Sequence, residues 1–127
     1  MESFSVTTNH RNQFIDITND VKKAVNKLNI SSGVITVFCP HTTAAITINE
    51  NADPDVTSDM MQKLNSLVPP HEGYAHAEGN SDSHIKSSLV GNSCQIIVED
   101  DRLQLGTWQG IYFCEFDGPR TRKVWVQ

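Results

Sequence analysis

His41, His76 and His84 are three imidazoles spread along the chain. Three neutral imidazoles are a common way to hold a divalent transition metal while one coordination position stays open. Their spacing matches no local signature such as HExxH, so only the fold can bring them together. The plain alternative for each is a structural or surface histidine; His10 and His71 read as turn and loop residues. A second set is acidic and amide-bearing: Glu50, Asn51 and Asp53, then Glu78 and Asn80. Carboxylates there can act as general acids or bases, or hold Mg²⁺ together with substrate phosphates. Asp53 also has a purely structural explanation, as the N-cap of a helix that starts at Pro54. A third set suits phosphate: the hydroxyls of Thr42 and Thr43 beside backbone N–H groups, and the guanidinium forks of Arg102, Arg120 and Arg122. Solvated turn charges are the competing reading of the arginines. A fourth lies in "LGTWQGIYFCEFDGPR". Trp108 is a stacking plate for a heteroaromatic ring or a core residue, and Gln109 follows it. Glu115 shares a strand face with Ile111 and Phe113, and a carboxylate on such a face requires a partner such as an arginine.

Positioning these groups requires elements, and hydrophobic spacing supplies them. "SFSVTT" and "QFIDIT" alternate as strands around an "NHRN" turn. Thr18 or Asn19 caps a helix whose apolar positions are Val21, Ala24, Val25 and Leu28. "VITVFC" and "AAITINE" are β-branched runs and read as strands. Asp53-Pro54 then starts a helix with the stripe Val56, Met60, Leu64 and Leu67, which Pro69-Pro70 stops. After a polar loop over residues 69–80, a short helix begins at Ser81 or Asp82 and ends at Gly91. "CQIIVED", "LQLGTW", "GIYFCEFD" and "RKVWVQ" read as four closing strands, turned at Asp100-Asp101 and Asp117-Gly118-Pro119. Short turns imply antiparallel pairing. The spacing therefore predicts one α+β domain over residues 1–127, a mostly antiparallel sheet with two main helices and one short helix on one face. The other sheet face needs cover, which oligomer formation would supply.

A chain of 127 residues with 38% hydrophobic and 20% charged residues can bury a core unaided. The net charge of −5 argues against a nucleic-acid partner. No apolar run reaches the ~20 residues of a membrane span, and the N-terminal residues show no basic-then-apolar leader. Cys39, Cys94 and Cys114 are odd in number and lie in strand-like runs, so they read as small core residues in a reducing, cytoplasmic protein.

"HTTAAITINENADPD", "EGNSDSHIKSSLVG" and "LGTWQGIYFCEFDGPRTRKV", in that order, resemble the YjbQ family of small bacterial and archaeal proteins, over about residues 3–126. The family's HTTA motif falls on His41 to Ala44. Its NEN-x-DP motif falls on Asn49 to Asn51, Asp53 and Pro54, and its Y-x-H loop on Tyr74 and His76. EGN-x-x-x-H falls on Glu78, Gly79, Asn80 and His84, GTWQ-x-I on Gly106 to Gln109 and Ile111, and E-x-DGPR on Glu115 and Asp117 to Arg120. The resemblance implies an α+β homotrimer with secondary thiamine-phosphate synthase activity. In that reaction hydroxymethylpyrimidine diphosphate loses pyrophosphate as the nitrogen of thiazole phosphate attacks its methylene carbon. It further implies a polar pocket near a subunit boundary in which His41, His76 and His84 hold a metal, zinc first and magnesium or manganese as alternatives, with no organic cofactor. In that reading Thr42, Thr43, Asn51, Asn80, Trp108, Gln109, Arg120 and Arg122 bind substrate and phosphate. Glu50, Asp53 and Glu115 stabilise positive charge at the methylene. Two other readings stay open: a metal-dependent phosphohydrolase, and a non-catalytic trimeric metabolite-binding protein.

Overall fold

In a computed structural model that describes Met1–Gln127, eight strands and three helices follow in the order β1 (Glu2–Thr7), β2 (Gln13–Asp16), α1 (Thr18–Leu28), β3 (Gly33–Phe38), β4 (Ala44–Glu50), α2 (Pro54–Leu67), α3 (Ser81–Val90), β5 (Ser93–Glu99), β6 (Arg102–Leu103), β7 (Gln109–Glu115) and β8 (Thr121–Val126). All pairings are antiparallel, as the short turns require. The fold is α+β with three helices, as expected. The expected single sheet is instead two: a five-stranded sheet in the order β1-β8-β3-β5-β6 and a three-stranded sheet in the order β2-β7-β4.

The split has a physical origin at three corners. Residues 8–12, 39–43 and 116–120 each carry the chain from one sheet to the other. Register places all three at the same end of the molecule: Gln13 and Ala44 both lie opposite Glu115, and Thr7 lies opposite Thr121. The inner faces of the sheets meet in one core, with Ile35, Val37, Ile96, Val98, Val124 and Val126 from the larger sheet against Ala44, Ile46, Ile111 and Phe113 from the smaller. Helix α1 closes this core through Val21, Ala24 and Val25. Its N-terminus is served by Asp16, whose Oδ1 accepts from the N–H (2.9 Å) and hydroxyl (2.6 Å) of Thr18, rather than by a side chain of Thr18 or Asn19.

The outer face of the small sheet carries Ala45, Tyr112, Cys114 and Phe116, against which Met61 and Leu64 of α2 and Val90 of α3 pack. Asp53 caps α2 by accepting from the N–H of Asp55, with Pro54 in the first turn, as its sequence suggests. The "LQLGTW" strand is reduced to Arg102–Leu103. There the Gln104 N–H still donates to the Ile97 carbonyl at 2.8 Å, and its side chain folds back to donate to the carbonyls of Glu99 and Arg102.

Helix α3 has inverted polarity. Asp82, Ser83, Lys86 and Ser87 are buried, while Ile85 and Leu89 face out. Buried charge is tolerated only when paired. Asp82 receives two hydrogen bonds from Arg11 and one from Lys86, each 3.0 Å, and Lys86 also donates to Asn65 at 2.7 Å. Burial by itself raises the Asp82 pKa, but Arg11 and Lys86 outweigh it and bring the group down to about 2. The folded pKa lies below the unfolded one, so this stabilisation is present above about pH 4. It is lost as pH falls toward about 2. Urea unfolding of Asp82→Asn should therefore lack the part of the wild-type stability loss that develops between those limits; identical acid profiles for the two proteins would remove this role.

The two sheets are joined at the corner end by Glu115 of β7 and Arg122 of β8, both essentially fully buried. Removing one member of a buried ion pair leaves an uncompensated charge and costs about 3–5 kcal/mol. Glu115→Ala should lose stability of that order in denaturant titration, and Glu115→Met combined with Arg122→Leu should recover much of it. A loss under about 1 kcal/mol in the single variant would contradict a structural role.

A candidate anion-binding cleft at the sheet corners

Beyond Phe38↔Trp125, β3 leaves β8 and the chain turns through Pro40. The N–H of Lys123 on β8 is then taken by a side chain: it donates to Nε2 of His41 at 2.9 Å. An imidazole nitrogen that accepts carries no proton, so neutral His41 has its proton on Nδ1. Burial, and next the charge of Arg122, push the His41 pKa down, which keeps the ring neutral. Nδ1–H is thus a hydrogen-bond donor without a partner in the chain, on a ring that lines the cleft.

Arg122 is 3% exposed. Its Nε donates to Oε2 of Glu115 at 2.8 Å, and its Nη2 to Oε1 of Glu115 and to Oγ1 of Thr43 at 2.8 Å. Nη1 makes no bond within the chain, and the residue lines the cleft. Arg120 is half exposed, held by a 3.2 Å bond to Asp117. Asp117 Oδ2 also accepts from Asn80 Nδ2 at 2.9 Å, and this leaves Asn80 Oδ1 buried without a partner. Together with Thr42, Thr43 and His84 these residues bound a cavity of about 390 Å³ in which Pro40 is the one nonpolar side chain. The wall is charge-balanced, with Arg120 and Arg122 against Glu78 and Asp117. Affinity for an anion there rests on directed donors more than on net field.

His41, Thr42 and His84 also border a second cavity of about 500 Å³, walled further by Ser87, Ser88 and Asn92. Sequence reasoning did not single out these last three. Ser88 had a signal, since it lies four residues after His84 on one helix face; Asn92 had none.

Several expected site residues lie elsewhere in the chain. Glu115 is buried with both carboxylate oxygens saturated: Oε1 also accepts from the Asp117 N–H at 2.9 Å and Oε2 from the Thr8 hydroxyl at 3.1 Å. It reaches no ligand and acts instead as the anchor of Arg122. Thr43 borders the cleft but is buried, and its hydroxyl serves Arg122. Glu50, Asn51, Asp53, Trp108 and Gln109 gather at the opposite end of β4 and β7, where Glu50 pairs with Gln109. That is roughly 20 Å from the cleft at ~3.3 Å per residue. There Asn51 bonds Asp16 at 3.3 Å, Gln109 Oε1 accepts from the Gly106 N–H at 2.8 Å, and Trp108 is 63% exposed. Gly110 is required beside Asn51, whose side chain would sit 2.6 Å from an added Cβ.

His76 and His84 are neighbours, with ring centroids 5.5 Å apart and nearly perpendicular. His76 Nε2 lies 3.7 Å from Glu78. The three histidines nevertheless do not fit as one metal-binding set. A ligating histidine normally donates its second N–H outward, whereas His41 accepts on Nε2 from a fixed backbone donor. No three His, Cys, Asp or Glu side chains form a group that could hold a metal ion. The cysteines are free and their thiols are pushed up by burial, Cys39 and Cys94 to about 11 and Cys114 well above the usual thiol range, so none is a ready nucleophile.

The family model described as "UPF0047 protein YjbQ-like" matches residues 2–127. The chain belongs to the UPF0047 YjbQ-like family. It is 52% identical to UPF0047 protein YugU of Bacillus subtilis over 128 residues, covering 100% of this chain and 97% of the relative. It is 49% identical to UPF0047 protein MJ1081 of Methanocaldococcus jannaschii, covering 98% and 90%. Among solved structures, a YjbQ/UPF0047 protein of Clostridium acetobutylicum superposes with a TM-score of 0.97 at 60% identity, covering 100% of this chain and 98% of the other. A conserved hypothetical protein of Thermus thermophilus gives 0.93 at 40%, with the same coverage. The YjbQ-like fold accordingly spans the chain. None of its helices is long and apolar enough to cross a membrane.

Elemental analysis of untagged protein after incubation with zinc and desalting should find well under one zinc per chain. Stoichiometric zinc that disappears in His41→Ala would show that the ring turns over to ligate, and would reinstate the three-histidine centre.

Proposed function

We propose that this YjbQ-like protein is an enzyme acting on a small phosphorylated substrate, with the phosphate seated between Arg120, the Nδ1–H of His41 and the hydroxyl of Thr42. The convergence of those donors on a cavity walled by polar side chains, Pro40 apart, carries the reading. The reaction proposed is the thiamine-phosphate synthase-type coupling. The departing pyrophosphate occupies the donor-lined cavity, where cationic and N–H groups stabilise charge as it develops. Such a transfer depends on positioning and electrostatics more than on a strong base.

One chain holds only the anion end of that reaction. Trp108, the plate for the pyrimidine, and Glu50 and Asp53, the groups for a cationic methylene, stand at the far end of β4 and β7. The coupling reading therefore goes with a homotrimer in which a neighbouring copy brings these residues up. Uncovered apolar residues support association: Val34 and Ile97 are cross-strand partners on the outer face of the large sheet, 60% and 59% exposed, and Trp125 stacks on Phe38 nearby. Magnesium or manganese arriving with a diphosphate, met by Glu78 or Asp117, is the form of metal use these side chains accommodate. Three unpaired cysteines suit a reducing, cytoplasmic setting.

The test is formation of thiamine phosphate, followed by chromatography, from hydroxymethylpyrimidine diphosphate and thiazole phosphate with magnesium. Wild type should turn over, and Arg120→Ala should fall at least tenfold in kcat/KM, about 1.4 kcal/mol of transition-state stabilisation. Wild-type rates in Arg120→Ala and His41→Ala alike would reject the assignment. Phosphate release from simple esters without a second substrate would turn the reading to a phosphohydrolase, and tight binding without turnover to a metabolite-binding protein.

A further inference from the structure

The second half of the cleft carries information about the ligand that the phosphate site does not. Six of the eight residues around the 500 Å³ cavity have polar side chains, with Ala44 and Gly91 the exceptions. No aromatic side chain other than the histidines lines either half. Within one chain, a flat heteroaromatic ring thus finds no Phe, Tyr or Trp plate there, and an apolar group finds only Ala44 and Pro40.

The polar groups also have unspent hydrogen-bonding capacity of a definite kind. Ser87 Oγ donates to the carbonyl of Ser83 at 2.8 Å, and Ser88 Oγ donates to that of His84 at 3.1 Å. Their protons are committed to the helix, so each hydroxyl faces outward as an acceptor. The Thr42 hydroxyl and the Asn92 amide make no hydrogen bond within the chain, and both can donate and accept. In the charged half, Glu78 and Asp117 add acceptors beside the two arginines. A ligand matching this wall has acceptors at one end and, over the rest of its length, groups that both give and take protons.

Resting on the phosphate reading above, we infer that the primary ligand is a phosphorylated polyhydroxylated compound, a sugar or polyol phosphate. Its phosphate lies against Arg120, His41 and Thr42, and its hydroxyls run along Ser88 and Asn92. A coupling that uses a heteroaromatic substrate is then a secondary use of the same anion site. A heteroaromatic substrate needs a stacking plate from elsewhere; a polyol phosphate is held by one chain alone.

Isothermal titration of the untagged protein with ribose 5-phosphate, phenyl phosphate and inorganic phosphate separates the possibilities. Ribose 5-phosphate should bind at least about tenfold more tightly than the other two, the effect of two net hydrogen bonds. Asn92→Ala and Ser88→Ala, both at exposed side chains, should each weaken ribose 5-phosphate about three- to tenfold and leave inorganic phosphate unchanged. Arg120→Ala should weaken all three. Phenyl phosphate binding as tightly as the sugar phosphate, or Asn92→Ala and Ser88→Ala both without effect, overturns the polyol inference while the phosphate site stands. Absence of binding by all three probes overturns both.

Discussion

The buried pair of Glu115 and Arg122 is the interaction on which the rest of the arrangement depends. It is more than a bridge between two strands. Glu115 accepts from Thr8 in the first corner and from the Asp117 N–H in the third, while Arg122 donates to Thr43 in the second. All three corners at this end of the molecule are thus tied to a single carboxylate–guanidinium unit. Every lone pair and proton that it commits is one that water would otherwise have to satisfy. Ion pairs in such surroundings are retained less for net stability than for fixing one geometry. Here the geometry fixed is that of three loops that would otherwise be free to splay.

The cleft is a by-product of those corners. A strand that leaves its sheet strands a backbone N–H, and such groups must be paired. His41 pairs the one on Lys123 and thereby locks its own tautomer. Arg122 is consumed on two of its nitrogens by the corner network and has the third to spare. Donors arranged by structural necessity are already oriented before any ligand arrives, which is what makes such a site effective.

Much of the fold could be read from the residues, because hydrophobic period and turn chemistry are local. The Val21–Ala24–Val25 spacing, the Asp53-Pro54 start and the Gly91 end each correspond to an observed element. The two-sheet split could not be read, since alternation reports that a strand has two faces and not which sheet it joins. Glu115 shows the same limit at a site. Its position on an apolar face was readable and implied a cationic partner; that this partner would saturate it was not, because saturation depends on Thr8 and the Asp117 N–H arriving from distant segments. Polar motifs at both ends of one segment, His41 to Thr43 and Glu50 to Asp53, read in sequence as two clusters, with no signal for the distance between them. An extended β4 holds them apart. The inverted helix α3 went unread for a related reason, as Lys86 and Asp82 resemble a solvated i,i+4 pair until Arg11 and Asn65 close over them.

Strand β8 follows every other element in sequence, yet it lies inside the large sheet, between β1 and β3, and delivers both Arg122 and the Lys123 N–H. Its partner β1 is the first strand, so the pairing Glu2↔Val126 spans almost the full sequence. Contacts of such high separation form late and slowly. During synthesis, at about 5–20 residues per second, the emerging chain carries β1 with no strand partner and three corners untied. A nascent polypeptide of this fold accordingly lacks Arg122 and leaves His41 without its backbone tether until the final strand slots between β1 and β3.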